Sequence, residues 1–236
     1  MRMEVHKRTP HEIFNMPQRL LVPLFQRPYV WSEEAQWAPL WEDITRVADR
    51  YLESPQSAQQ PHFIGAVVLQ QLPNSTGGFQ ERTIIDGQQR LTTLQIVLDA
   101  MHAEFDRVEA VKAAKRIERL VRNDEEFCSS PEDQFKVWPT NRDRPAFCEV
   151  MGAETPVDYD KLSFKADRLP QAHKFFSKQI RDWLAAGGPE KRSVRADALE
   201  LTARELLQVV VIDLAADENA QEIFETLNAR GSQLSA

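Results

Sequence analysis

Thr83-Ile84-Ile85-Asp86-Gly87-Gln88-Gln89-Arg90-Leu91-Thr92-Thr93-Leu94 is the stretch on which the fold turns. A β-branched run stops at an acid and a glycine, and an apolar pattern of helical spacing begins at once with Leu91, Leu94, Leu98, Met101 and Phe105. This change of period predicts a strand, a tight turn and a helix that runs to about Arg107. The first turn of such a helix offers unpaired backbone N–H groups and the positive end of the helix dipole, and Gly87 lets an anion come close to the backbone. Arg90 could then clamp the anion with a forked hydrogen bond. Asp-Gly is equally a plain turn former, and an arginine one turn into a helix often only reaches solvent. By itself the stretch leaves both readings open.

Outward from it, Phe63-Ile64-Gly65-Ala66-Val67-Val68-Leu69-Gln70 reads as a strand with Gly65 at a bulge or a close backbone approach. The cluster Pro73-Asn74-Ser75-Thr76-Gly77-Gly78 turns the chain, and Gln80 to Ile85 returns as its hairpin partner. Further upstream, Thr9-Pro10-His11-Glu12 has the form of a capping box with proline at the first helical position, and Leu20-Leu21-Val22-Pro23 is extended. Pro23 and Pro28 keep Leu24-Phe25-Gln26-Arg27-Pro28-Tyr29-Val30-Trp31 non-helical. Ser32 is expected to cap a helix that turns Trp37, Leu40, Trp41, Ile44, Val47 and Tyr51 inward.

Downstream, a helix is predicted over Ala110 to Arg122, with Val111, Ala114, Ile117 and Val121 on its inner face. A proline-punctuated region follows, holding a short strand within Phe135 to Trp138, then helices over about His173 to Leu184 and Lys191 to Leu207. Val209-Val210-Val211-Ile212-Asp213-Leu214 is an apolar β-branched run fit for the centre of a sheet. Asp217 is placed to cap a helix over Glu218 to Ala229, with Gly231 as its stop. The expectation is one α/β (α+β) domain, with a core over residues 14–107 and 206–236 and a largely helical insertion over 108–205.

Of 236 residues, 28% are charged and 42% hydrophobic, and the net charge is -7. An acidic total argues against a broad duplex-coating basic face, though not against a local basic pocket. Cys128 and Cys148 lie far apart, outside any metal-binding spacing, and the N-terminus lacks the apolar core of a signal peptide. A cytoplasmic location is expected. The abrupt end after a helical pattern points to a piece of a longer chain.

Three segments join an arginine to amide, acid or glycine neighbours at an element boundary: Gln26-Arg27-Pro28-Tyr29, Asp86-Gly87-Gln88-Gln89-Arg90 and Asn228-Ala229-Arg230-Gly231. Each has a structural explanation singly, but together they look like parts of one phosphate-binding cleft. Asp86 would add a carboxylate for Mg²⁺ (or Mn²⁺). There is no Walker-type loop, no His-Glu-x-x-His spacing and no Gly-x-Ser-x-Gly elbow in the sequence.

Phe25-Gln26-Arg27-Pro28-Tyr29-Val30-Trp31, Phe63-Ile64-Gly65, Ile85-Asp86-Gly87-Gln88-Gln89-Arg90-Leu91-Thr92-Thr93-Leu94 and Ile223-Phe224-Glu225-Thr226-Leu227-Asn228-Ala229-Arg230-Gly231 follow one another as successive motifs. In this order they resemble the GmrSD-type N-terminal domain, which carries an Asp-Gly-Gln-Gln-Arg signature. The resemblance covers about residues 14–236. It implies a ParB/sulfiredoxin-like core in the N-terminal half of a bacterial anti-phage restriction protein, one acting on modified DNA (a modified base, or phosphorothioate in the SspE-like members). It further implies hydrolysis of GTP or ATP and a C-terminal His-Asn-His-type (HNH) nuclease domain as partner. Carried onto this chain, Asp86, Gln88, Gln89 and Arg90 would be catalytic, with Asp86 the metal ligand. Gln26, Arg27, Gly87, Asn228 and Arg230 would bind the nucleotide, and Pro28, Tyr29 and Trp31 would sense nucleic acid. The competing readings are a ParB-like DNA nuclease and a non-catalytic reader of modified DNA.

Overall fold

A computed structural model describes residues 4–56, 60–73, 80–219 and 222. In chain order these form β1 (Glu4–Arg8), α1 (Pro10–Phe14), β2 (Gln18–Leu21), α2 (Ala38–Glu53), β3 (His62–Gln71), β4 (Gln80–Asp86) and α3 (Gln88–Arg107). Then come α4 (Val111–Val121), β5 (Val137–Trp138), α5 (Arg144–Met151), α6 (Arg168–Ala185), α7 (Arg192–Leu201) and β6 (Leu207–Leu214). The expected helix beyond Glu218, with Asn228 and Arg230, lies outside the described residues.

The strands form one mixed sheet in the order β1-β6-β3-β4-β2-β5. β3 and β4 are the antiparallel hairpin that the turn cluster predicts, while β6 lies parallel to β3 on one side and antiparallel to β1 on the other. β6 is therefore an interior strand. Its neighbour β1 is an edge strand whose polar sequence, Glu-Val-His-Lys-Arg, gave no apolar alternation to find. Gly65, at φ +114°, falls where the pairing of β3 with β6 slips between Phe63 and Ala66.

α3 is buried along nearly its whole length, because α4 and α6 pack against it and β4 leads straight into it. Leu91, Ile96, Leu98, Met101 and Phe105 are fully enclosed, each contributing about 1.5–3 kcal/mol from burial. A polar network stitches α3 to α6: Glu104 accepts from Ser177 at 2.6 Å and Arg181 at 2.7 Å, and His173 meets Asp99 at 3.2 Å. The stretch over 108–205 holds α4 to α7, and it also sends β5 into the sheet, where it lies parallel to β2. The larger of two hydrophobic clusters among the described residues runs through the strands and these helices alike, and the smaller gathers Val68, Ile85 and Leu214.

Several expectations need correction. Ser32 makes no side-chain cap. A wide turn over Glu33–Trp37 comes first, closed by Trp37 N–H on the Ser32 carbonyl at 3.0 Å. Pro39, which has no N–H, stands in the first turn of α2, where a missing donor is tolerated. Leu40 and Tyr51 are half-buried rather than inside. Val111 is 56% exposed, and the inner face of α4 is Ala113, Ala114, Ile117, Leu120 and Val121. α6 begins at Arg168 because Pro170 fits a first turn, and the helix expected through Leu207 stops at Leu201, with a wide turn over Thr202–Leu206 before β6. α5 was concealed by Pro145, which likewise lies in its first turn.

Candidate nucleotide-binding cleft

The strand-turn-helix junction takes its shape from Gly87. This residue is left-handed, at φ +87°, and a Cβ there would stand 2.5 Å from Val67 Cγ1. Glycine is the residue that combines this backbone with so close an approach to β3. The first helical bond closes from Leu91 N–H to the Gly87 carbonyl at 3.0 Å, and no side chain caps the helix. The N–H groups of Gln88, Gln89 and Arg90 thus precede the intrahelical ladder. Asp86, just before the turn, is exposed.

Arg90 lies against the bulge in β3. Its Nη1 donates to the Ala66 carbonyl, and a Cβ at Gly65 would come within 2.5 Å of Nη2 and 2.6 Å of Nε. The guanidinium occupies the space that any other residue at 65 would fill. Burial lowers the Arg90 pKa, and the neighbouring Asp86 carboxylate works the other way. The bulge was legible in the sequence; its role as the bed of Arg90 was not, because nothing in the spacing pairs residue 65 with residue 90.

The glutamines bind the Gln26–Trp31 segment to this junction. Gln26 Nε2 donates to the Ile85 carbonyl at 2.9 Å, and Gln88 Nε2 donates to the Arg27 carbonyl at 3.1 Å. Gln89 uses both ends of its amide, accepting from Val30 N–H at 2.8 Å and donating to the Pro28 carbonyl at 3.1 Å. The amide of Gln89 therefore pairs with the backbone as another strand would. Gln88 Oε1, by contrast, is buried and has no protein partner.

Tyr29 points away from this junction into the core, at 6% exposure. Trp37 Nε1 donates to its hydroxyl at 2.9 Å, the hydroxyl lies 2.6 Å from Thr93 Oγ1, and Thr93 donates onward to the Gln89 carbonyl at 2.7 Å. Burial pushes the Tyr29 pKa up to about 12. Its hydroxyl is spent on packing, so direct contact with nucleic acid, as the resemblance implied, would require the core to open. Two partners from the helical region had no sequence signal at all. Asp143 accepts from Tyr29 N–H at 2.9 Å, and Arg168 donates to the Trp31 carbonyl at 3.3 Å.

The result is a cleft of about 480 Å³ whose walls include Arg27, Trp31, Asp86, Gln88 and Arg90. Two of the three sequence segments thus meet, whereas the third, with Asn228 and Arg230, lies outside the described residues. Pro28 belongs to the same segment but lines a neighbouring cleft of about 420 Å³, together with Arg142, Asp143 and Arg168. Among the described residues no group of three or more His, Cys, Asp or Glu gathers as a metal cluster. None of the described helices is long and apolar enough to cross a membrane.

A family profile for the GmrSD restriction endonuclease N-terminal domain matches residues 10–236. The chain belongs to this family. No curated protein matches it. The Asp86–Arg90 junction is thus part of a GmrSD N-terminal domain, and its setting is that of a restriction enzyme.

Proposed function

We propose that this GmrSD N-terminal domain binds a nucleoside triphosphate in the cleft at the start of α3 and hydrolyses it, and that this step governs restriction of modified DNA. The observation that carries the reading is Arg90, seated on the glycine bulge beside Asp86 at an uncapped helix N-terminus. Free N–H groups, a helix dipole and a guanidinium all favour an anion at one spot. Arg27, exposed on the facing wall, adds a second cation.

Asp86 suits Mg²⁺ or Mn²⁺, since Mg²⁺ commonly takes one or two protein carboxylates and completes its shell with phosphate oxygens and water. The exposed carboxylate, with no hydrogen bond of its own among the described residues, is free to act as that ligand. Bound there, the metal would neutralise phosphate charge. Phosphoryl transfer needs little beyond positioning and charge stabilisation. Arg90 and Arg27 would hold the phosphates, and the backbone N–H groups after Gly87 would meet their oxygens. Of the two glutamines, Gln88 keeps a free oxygen with which to orient water, while Gln89 acts by holding the wall. The family supplies the rest of the proposal: a modified base or phosphorothioate in DNA as the signal, and an HNH-type nuclease domain as the effector, in the cytoplasm.

Phosphate release from GTP and ATP by the full-length protein, with Mg²⁺ and modified DNA, is the direct test. Arg90→Ala should lower turnover about 10³-fold or more, in line with the loss of a charge-stabilising arginine, while the variant still folds and melts cooperatively, at a cost of about 1–3 kcal/mol for the Ala66 carbonyl left unpaired. Parental turnover in that variant would refute the assignment.

A further inference from the structure

The segment from Arg27 to Trp31 belongs to no strand or helix, and side chains hold its backbone. Gln88 donates to the Arg27 carbonyl, Gln89 donates to the Pro28 carbonyl and accepts from Val30 N–H, and Arg168 donates to the Trp31 carbonyl. Asp143 Oδ2 accepts from Tyr29 N–H at 2.9 Å. The Pro28 carbonyl and the Tyr29 N–H are the two ends of one peptide unit. That unit is planar, with its C=O and N–H on opposite sides. The Gln89 amide therefore grips the plane from the start of α3, and the Asp143 carboxylate grips it from the residue before α5. Pro28 has no N–H of its own and its ring fixes φ, so any turn of the plane is passed along the chain. On either side of it stand Arg27 and Trp31, which line the cleft at the start of α3, while Asp143 lines the neighbouring cleft. Asp143 is itself held in place: Thr140, 5% exposed, donates from Oγ1 to the same Oδ2 at 2.7 Å, and its carbonyl accepts from Asp143 N–H at 2.9 Å. By charge alone a carboxylate in the next cleft opposes an anion, so what Asp143 offers is its hydrogen bond.

Resting on the phosphate site proposed above, we infer that Asp143 is a positioning residue for it. By holding the Pro28–Tyr29 peptide against Gln89, it keeps Arg27 in the cleft wall where the phosphates bind. Asp143 acts through Arg27 and touches no ligand. The helical stretch over 108–205 thus helps to set the affinity of a cleft to which it lends no wall.

The test measures binding of GTP and ATP, each with Mg²⁺, to the full-length protein by calorimetry. Asp143→Ala should weaken the tighter-bound nucleotide about tenfold, the scale of one charge-assisted hydrogen bond. Asp143→Asn keeps an acceptor for Tyr29 N–H but drops the charge, and should stay within about twofold of the parent. In an Arg27→Ala background Asp143→Ala should cost nothing further, because the two changes remove one and the same contact. Thr140→Val, which frees the Asp143 carboxylate without removing it, should give a smaller loss of the same kind and reads out the hold should Asp143→Ala not fold. Equal losses in the Ala and Asn variants would show that the charge acts and not the hydrogen bond. A full further loss in the Arg27→Ala background would show that Asp143 acts elsewhere, and unchanged affinity in Asp143→Ala would show that Gln89 holds the plane alone. Each of these overturns the inference and leaves the phosphate site standing. Parental protein that binds neither nucleotide removes the phosphate site, and the positioning role with it.

Discussion

At Gly65 a backbone angle of +114° and the missing side chain make one bed for the Arg90 guanidinium. Gly65→Ala should therefore act twice. The strained backbone would cost about 1–3 kcal/mol, and the added methyl would push Arg90 out of the cleft, which a melting curve and a tripolyphosphate titration would report together. Loss of stability with parental polyphosphate binding would show that the bed does not position Arg90. At this scale the sequence was half legible. Arg90, Asp86 and Gly87 drew attention by sitting between a strand and a helix, a placement that suits an anion-binding turn and a plain turn alike. The separate fates of Gln88 and Gln89 were hidden, because adjacent amides of the same type differ only in which backbone they meet. Tyr29 was misleading for the same reason: an aromatic between a proline and an arginine can face a ligand or a core, and Trp37 and Thr93 decide for the core.

Between elements, the decisive contact is the lacing of the non-helical segment Gln26–Trp31 to the start of α3. Gln89 supplies two of those bonds from a side chain that is 7% exposed. Gln89→Leu would strand the Val30 N–H and the Pro28 carbonyl, at about 1–3 kcal/mol for the buried groups left unpaired. Amide hydrogen exchange should then quicken at Val30 more than at residues within α3. Equal protection at Val30 in the variant would show that the segment is held by other means. The hairpin, α3 and β6 could be read from period and β-branching, because each buries a continuous stripe. β1 and α5 could not. β1 is polar and owes its place to the pairing of Lys7 and Arg8 with Val210 and Val209, and α5 hides behind a proline that its first turn tolerates.

The molecule as a whole joins its sheet and its helical stretch through α3, and charge matters at that seam. Burial opposes the Glu104 carboxylate, but hydrogen bonds from Arg181, Ser177 and Arg107 outweigh it and hold its pKa below the usual value. A carboxylate held down in the folded state contributes stability above its unfolded pKa, and that contribution fades as the pH falls through the folded value. Glu104→Gln should therefore lower the melting temperature clearly at pH 7, by about 1–3 kcal/mol of stability, with the deficit shrinking below about pH 4. A deficit independent of pH would mean that the seam depends on shape and not on charge. The family to which the chain belongs sets this seam within a restriction enzyme, and the central claim concerns what the cleft beside it holds. The most direct measurement is a crystal structure of the full-length protein with Mg²⁺ and a non-hydrolysable nucleoside triphosphate. The account predicts phosphates at the N-terminus of α3, between Arg90 and Asp86; nucleotide bound elsewhere, with this cleft empty, would contradict it.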